Sequence, residues 1–322
     1  MSEPRIPDVL ENDLVYSLTC IPGIDLCFAA RGSGLYRSED GGATWIYAYE
    51  SLDLEGPLPT TSVVAAPGSV SPDKLRVFAG VPGGVLRSSD GGQTWAAQPL
   101  GSPPPTVSDL AISPEYERDG VILAGTTEDG VYRSASRGTH WTRWNFGLLD
   151  LNVMCLATSP TFGEDETLLA GVESGIFRST NGGRAWREVD LPVGFEPVLS
   201  LAFSPDYEAD SVIYAGTESQ GLLLSVNGGK AWTRVPDEET TGSITQPING
   251  MILSQVESGA LGLLLLLEDT LRISYDGGAT WHTLEADAGR ITAVTAPEGL
   301  DAGAKLLVGA LGGEVTQIEV TL

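Results

Sequence analysis

Apolar residues fall in short runs bounded by Gly, Pro, Asn, Asp and Ser, and no stretch keeps a helical period. The clearest unit reads Val198-Leu-Ser-Leu-Ala-Phe-Ser-Pro205, Val212-Ile-Tyr-Ala-Gly-Thr217, Gly221-Leu-Leu-Leu-Ser225 and Trp232-Thr-Arg-Val235. These are the lengths and turn signals of four short strands, A to D. Strand A recurs from Val15, Thr61, Val107, Val153, Ile248 and Arg290, which makes seven copies.

Between strands C and D stands an octapeptide, Ser88-Ser-Asp-Gly-Gly-Gln-Thr-Trp95, which returns as Ser38 to Trp45 and Ser274 to Trp281. Worn copies run from Ser179 to Trp186 and from Ser225 to Trp232, with Asn181 and Asn227 in place of Asp40, Asp90 and Asp276. In the most worn, Ser134 to Trp141, Ser136 takes the Asp place and Arg137 the first Gly. The six tryptophans, Trp45, Trp95, Trp141, Trp186, Trp232 and Trp281, lie 50, 46, 45, 46 and 49 residues apart. Such a period marks a propeller or solenoid. The residues read as structural: Asp or Asn closes an Asx-turn, paired glycines supply positive φ, and the Trp buries a large ring whose N–H needs an acceptor.

The seventh repeat has strands A, B and C in Ile291 to Pro297, Lys305 to Leu311 and Glu314 to Thr321, then stops before an octapeptide. At the other end, Pro4-Arg5-Ile6-Pro7-Asp8 looks like Thr233-Arg234-Val235-Pro236-Asp237, a D strand. The expectation is one all-β domain over 1–322, a seven-bladed propeller of four-stranded blades closed by the N-terminus. Approximate blades are 14–55, 56–103, 104–149, 150–194, 195–242, 243–288, and 289–322 plus 1–13. Closure covers the edge that an open blade leaves exposed.

The octapeptide resembles the Asp-box of BNR repeats, found in sialidases, sortilin-type receptors, xyloglucanases and photosystem II assembly factors. The resemblance runs through nearly the whole chain and is specific for fold, not function. It implies that the turn sits on the rim, away from any ligand site, so Asp40, Asp90 and Asp276 are not catalytic candidates. Arg5-Ile6-Pro7 also resembles the sialidase Phe/Tyr-Arg-Ile-Pro motif, but Pro4 replaces the aromatic and the segment precedes the first A strand. It is read as structural.

Acids outnumber bases 43 to 18, for a formal charge of −25. Such a surface repels nucleic acid and anionic membranes, and is read as a solvated shell or a match for a basic partner. Cys20, Cys27 and Cys155 form no CxxC and no metal spacing; Cys20 and Cys27 could approach each other, with buried free thiols expected. The two histidines, His140 and His282, belong to different repeats. No cofactor or metal is expected. The acidic A-to-B loops, Glu115 to Asp119, Glu164 to Glu166 and Asp206 to Asp210, could attract calcium but lack the EF-hand pattern. The chain start shows no apolar h-region and the longest apolar run, Leu261 to Leu267, cannot span a bilayer, so a cytoplasmic setting without membrane insertion is expected.

Three features are candidates for binding. At one aligned A-strand position stand Ser17, Ser62, Asp109, Cys155, Ser200, Gly250 and Thr292, small residues where seven strands converge. Asp109 alone is charged; it is read as a solvated channel carboxylate, with an axial ligand for a cation or water as the alternative. Before the octapeptide Ser stand Arg37, Arg87, Arg133 and Arg178. They are read as inter-blade bonds, with a strip for an acidic peptide, as the assembly factors are thought to use, as the sharper alternative. Trp144 is read as core filling before ligand stacking. The D-to-A loops Glu50 to Thr60, Pro99 to Pro105 and Pro236 to Pro247 are long and share a face with the B-to-C turns, the usual functional face.

No GxSxG, P-loop, HExxH or placed sialidase arginine triad is present. The function read from the sequence is therefore a non-catalytic protein–protein interaction scaffold or assembly-factor-like subunit with a protein partner. A glycan-acting enzyme or lectin of the BNR type is the alternative.

Overall fold

The computed structural model describes residues 13–67, 71–236, 244–268 and 270–321. They form seven antiparallel sheets in chain order, six of four strands and a last one of three. The chain is a seven-bladed β-propeller. Blade two shows the pattern: A is Ser62–Ala65, B is Val77–Val81, C is Gly84–Ser88 and D is Ala96–Pro99. B strands are buried throughout because a neighbouring blade covers each face, so they read as unbroken apolar runs. D strands lie outermost and are largely exposed.

Blade seven meets blade one directly. Leu14 bridges Leu311, and the Thr292 hydroxyl donates to the Val15 carbonyl at 2.8 Å. The closing strand expected at residues 4–8, and the Arg5-Ile6-Pro7 motif with it, lie outside the described residues.

Blades are keyed together by glycines with ordinary backbone angles. A Cβ on Gly125 of strand B in blade three (Ile122–Thr126) would sit 2.6 Å from Val153 Cγ1, the first A residue of blade four. Gly80 and Gly309 face Val107 and Val15 in the same way. Here glycine serves close approach of one sheet to the next. Gly125→Ala is expected to cost about 1–3 kcal/mol through overpacking. A denaturation midpoint unchanged from the parent would show that the junction has slack.

Cys20 and Cys27 correct the free-thiol expectation: they are joined in a disulfide. They face each other as the last register pair of strands Val15–Cys20 and Cys27–Arg31, with Cα atoms 4.1 Å apart. Cys155 is free and buried. Among the described residues no helix is long and apolar enough to cross a membrane.

Candidate functional site

The octapeptide is a closed circuit. Ser88 Oγ accepts the Gly92 amide at 2.8 Å and donates to Asp90 Oδ1 at 2.7 Å. Asp90 then accepts the Thr94 amide and the Thr94 hydroxyl. Gly91 and Gly92 have φ of 71° and 83°, the left-handed region that excludes most side chains. The Thr44 hydroxyl and amide hold the Asp40 carboxyl down at about 2. Burial pushes Asp276 up, yet Thr280 and Ser274 hold it at about 2 as well. Each Asp octapeptide carries Thr four residues on, and each Asn octapeptide carries Ala. Asn181 and Asn227 offer only Oδ1, to the amides of Ala185 and Ala231. A threonine hydroxyl there would have met the amide nitrogen. These residues are turn formers whose bonds are made within their own octapeptide.

The tryptophans pack onto the preceding blade. Trp95 Nε1 donates to the Ala48 carbonyl at 2.9 Å, and Trp186 Nε1 to the Trp144 carbonyl at 2.8 Å. Trp95, Trp186, Trp232 and Trp281 are buried; Trp45 and Trp141 are half-buried. The blade that would cover Trp45 is blade seven, whose expected fourth strand lies outside the described residues. The Trp232 and Trp281 indole nitrogens are buried without an acceptor among the described residues, against the expectation that each would find one.

At the axis, among the described residues, hydroxyls and a thiol tie an A strand to the next at five of the seven junctions. Thr61, Ser108, Cys155, Ser200 and Thr292 donate to the carbonyls of Val107, Val153, Val198, Ile248 and Val15. Register places Ala293, opposite Gly309, in the small-residue column, so Thr292 belongs one place earlier. The same bulge opens the A strands of blades one, three, four, five and six, so the offset arises from starting strand A of blade seven at Arg290, whereas its pairing begins at Ile291.

Asp109 is not a freely solvated channel carboxylate. Ser62 Oγ donates to its Oδ1 at 3.1 Å and the Leu110 amide to the same oxygen at 2.8 Å, while the Leu156 amide reaches Oδ2 at 2.8 Å. One carboxyl group thus spans blades two, three and four. Burial nevertheless wins over these three donors and raises its pKa to about 6.

Two of the four arginines are struts. Arg37 Nε donates to the Gly91 carbonyl and Arg178 Nε to the Gly228 carbonyl, both at 2.7 Å and both in the next blade's octapeptide. Arg37 is only 5 % exposed and also pairs with Glu39. Arg87 and Arg133 lack that bond: their Nε atoms are buried without a partner. Arg133 instead lies over the Trp144 ring, 4.5 Å from its centre, with Arg184 at 5.3 Å. Trp144 is therefore a half-buried platform for two guanidiniums. The row does not form one continuous strip.

The acidic A-to-B loops are built as caps. Asp119, Asp165 and Asp210 accept the hydroxyls of Ser113, Ser159 and Ser204 and the amides of Val121, Thr167 and Val212. No group of three or more His, Cys, Asp or Glu that could hold a metal occurs among the described residues.

The opposite face carries the D-to-A and B-to-C connections. There Asp13, Asp150 and Glu196 cap the turns at Ser33, Ser174 and Ser219. A cleft of ≈ 620 Å³ opens between the loop Gly101 to Thr106 and the turn Thr127 to Asp129. Its Asp129 receives the Tyr132 hydroxyl on Oδ2 at 2.5 Å and Arg143 on Oδ1 at 2.6 Å. Large apolar side chains stand exposed on the same connections: Leu54, Phe146 (80 %), Leu149 and Phe195 (82 %) on D-to-A loops, and Leu311 on a B-to-C turn.

No protein-family model matches the chain, and no curated protein matches it. Solved structures do match. The chain is similar to an ancestral GH74 enzyme at 16% identity and TM-score 0.70, over 95% of this chain and 45% of that one. It is similar to the extracellular domain of a putative hybrid two component system from B. thetaiotaomicron at 15% identity and TM-score 0.70, over 97% of this chain and 39% of that one. It is also similar to YCF48 bound to D1 peptide, at 16% identity and TM-score 0.65, over 96% and 94%. The chain thus spans less than half of the first two proteins and nearly all of the third. At such identity the likeness shows the propeller fold, which an enzyme, an extracellular domain of a two component system and a peptide-bound protein share.

Proposed function

We propose that this propeller, of the BNR type, is a non-catalytic docking module that holds a cationic, apolar-bearing polypeptide on its D-to-A and B-to-C face. The observation that carries this reading is the exposure of Leu54, Phe146, Leu149, Phe195 and Leu311 on connections of that one face. Ile46 on a D strand and Val226 in an octapeptide are exposed off this face; exposed large apolar groups on connecting loops favour an interaction role. Exposed acids stand among them: Asp53, Glu55, Glu128, Glu173, Asp190 and Glu218. With a formal charge of −25, the field steers a basic partner toward the face. The peptide-bound YCF48 structure supports a polypeptide ligand for this architecture.

The catalytic alternative needs two separately placed carboxyl groups. In the cleft beside the loop Gly101 to Thr106, Glu128 and Asp129 are chain neighbours, and both Asp129 oxygens are engaged. No turnover of fluorogenic sialosides or xyloglucan is expected across about pH 4 to 8, the working range of carboxylate pairs. Turnover abolished by Asp109→Asn or Asp129→Asn would overturn the proposal. For binding, the test is fluorescence anisotropy with labelled Lys/Leu-rich and Glu/Leu-rich peptides. The cationic peptide should bind, more weakly as salt rises, and Phe146→Asp with Phe195→Asp should weaken it at least about tenfold, the loss of a hot-spot pair. Binding of the acidic peptide alone would refute the charge assignment.

A further inference from the structure

The junction of blades two and three differs from its counterpart at blades four and five. In the latter, Arg178 donates Nε to the Gly228 carbonyl and its guanidinium hydrogen-bonds the Tyr207 hydroxyl. One arginine, one tyrosine and one glycine carbonyl close the site. Between blades two and three the corresponding tyrosine is Tyr116, which opens the short turn Tyr116–Asp119 and packs edge-on against Phe78 at 5.7 Å. Tyr116 is 0 % exposed, yet its hydroxyl has no partner. Arg87, the arginine in place of Arg178, has a buried Nε with no partner.

Two further cations bond Glu117, the residue next to Tyr116. Arg76 precedes strand Val77–Val81, and Arg137 takes the place of the first octapeptide glycine with a φ of 57°. Arg76, Arg87 and Arg137 all act electrostatically on Tyr116, and each pulls its acidity the same way. The Nε atoms of Arg76 and Arg137 are also buried without a partner. Against three guanidiniums stands one carboxylate, Glu117, which pairs with Arg76 at 3.2 Å; its backbone carbonyl takes Arg137 Nη2 at 2.6 Å. A buried orphan hydroxyl and three orphan guanidinium nitrogens cost stability unless something accepts from them.

We propose that this junction is a binding site for a small oxyanion, a phosphate, a sulfate or a carboxylate, which accepts from the Tyr116 hydroxyl and from Arg76, Arg87 and Arg137. All four groups are donors in the state present at neutral pH, and an oxyanion is the acceptor-only species that satisfies them together. Burial keeps the Tyr116 phenol protonated, its pKa raised to about 12 against the pull of the arginines, so it remains a donor. The third octapeptide is thus degenerate at a position where the extra cation has a use. The wider field of the protein repels anions, so the site acts only at short range.

The experiment is isothermal calorimetry with inorganic phosphate, sulfate and acetate at constant ionic strength, balanced with chloride, near pH 7.5. Phosphate or acetate should bind the parent protein; a preference for phosphate and sulfate identifies a tetrahedral ligand, and a preference for acetate a carboxylate. Tyr116→Phe should weaken binding about tenfold, the loss of one hydrogen bond to a charged group. Arg137→Gly restores the repeat's own residue at a left-handed position, so it should fold and bind more weakly. Tyr207→Phe should leave the affinity unchanged. In chloride alone, Tyr116→Phe should melt no lower than the parent, because it deletes an unsatisfied hydroxyl. The proposal is overturned if no oxyanion binds better than chloride, if Tyr116→Phe binds as the parent does, or if it melts lower in chloride.

Discussion

Trp95→Ala should destabilise the protein by about 3–5 kcal/mol, the usual range for emptying an aromatic core site. The ring is buried, it stands edge-on to Tyr49 at 5.5 Å, and its N–H bonds two carbonyls, those of Ala48 in the preceding blade and Gly92 in its own turn. Alanine would leave a cavity at the one–two junction and orphan the Ala48 carbonyl from this contact. Trp141→Ala should cost clearly less. Its ring is half-buried, its N–H reaches only Gly138 within its own turn, and the turn lacks the Asp. Urea denaturation of both variants against the parent is the check. Equal losses at the two positions would mean that the octapeptide turn, rather than burial against the neighbouring blade, sets the tryptophan's contribution.

That contrast shows where the sequence was readable. Period, strand order and turn chemistry were legible because each is local: Ser88, Asp90, Gly92 and Thr94 satisfy one another within seven residues. Blade packing was less so. The glycine of Gly125 reads as a strand interruption until Val153 is placed 2.6 Å from its missing Cβ. Thr292 fell into the wrong column because Arg290 reads as the first residue of strand A, whereas pairing begins at Ile291, and only the register shows which residue faces Gly309. The disulfide needed knowledge that Cys20 and Cys27 are direct partners across a hairpin. The arginine row looked uniform in sequence and is not, because what each guanidinium meets belongs to the next blade: Gly91 for Arg37, but Arg137 in the equivalent place for Arg87. The exposed face was the least legible. Phe146 and Phe195 resemble core residues by type, and only their exposure separates them from Phe177, which is buried.

The stability of the parent protein should contain a pH-dependent component that Asp109→Asn removes. Asp109 titrates near 6 in the folded chain, above its ordinary value of 3.8, because burial disfavours the charged form. Well below its ordinary value of 3.8 the group is protonated whether the chain is folded or not. As pH rises from about 4 to about 6, the unfolded chain releases this proton first and the folded chain retains it. The native state then binds more protons than the unfolded one, so stability falls with rising pH. The shift of roughly two units corresponds to about 3 kcal/mol between pH 4 and pH 7.5. Asp40 and Asp276 act in the opposite direction and elsewhere on the scale: held at about 2, they lose their contribution only as pH falls below about 4. Lowering pH also relieves general repulsion among 43 acids, a background common to parent and variant. The difference between them isolates Asp109. Asparagine resembles the protonated acid: its carbonyl oxygen can still accept from Ser62 and Leu110, while its amide faces the Leu156 N–H at every pH. The variant therefore carries a constant penalty but no titration. Urea midpoints measured at pH 4, 5, 6 and 7.5 should show the stability of Asp109→Asn rising relative to the parent across that range, by about 3 kcal/mol in all. Parallel profiles would mean that the Ser62, Leu110 and Leu156 donors already stabilise the carboxylate enough to offset its burial, and that the charge is no burden on the ring.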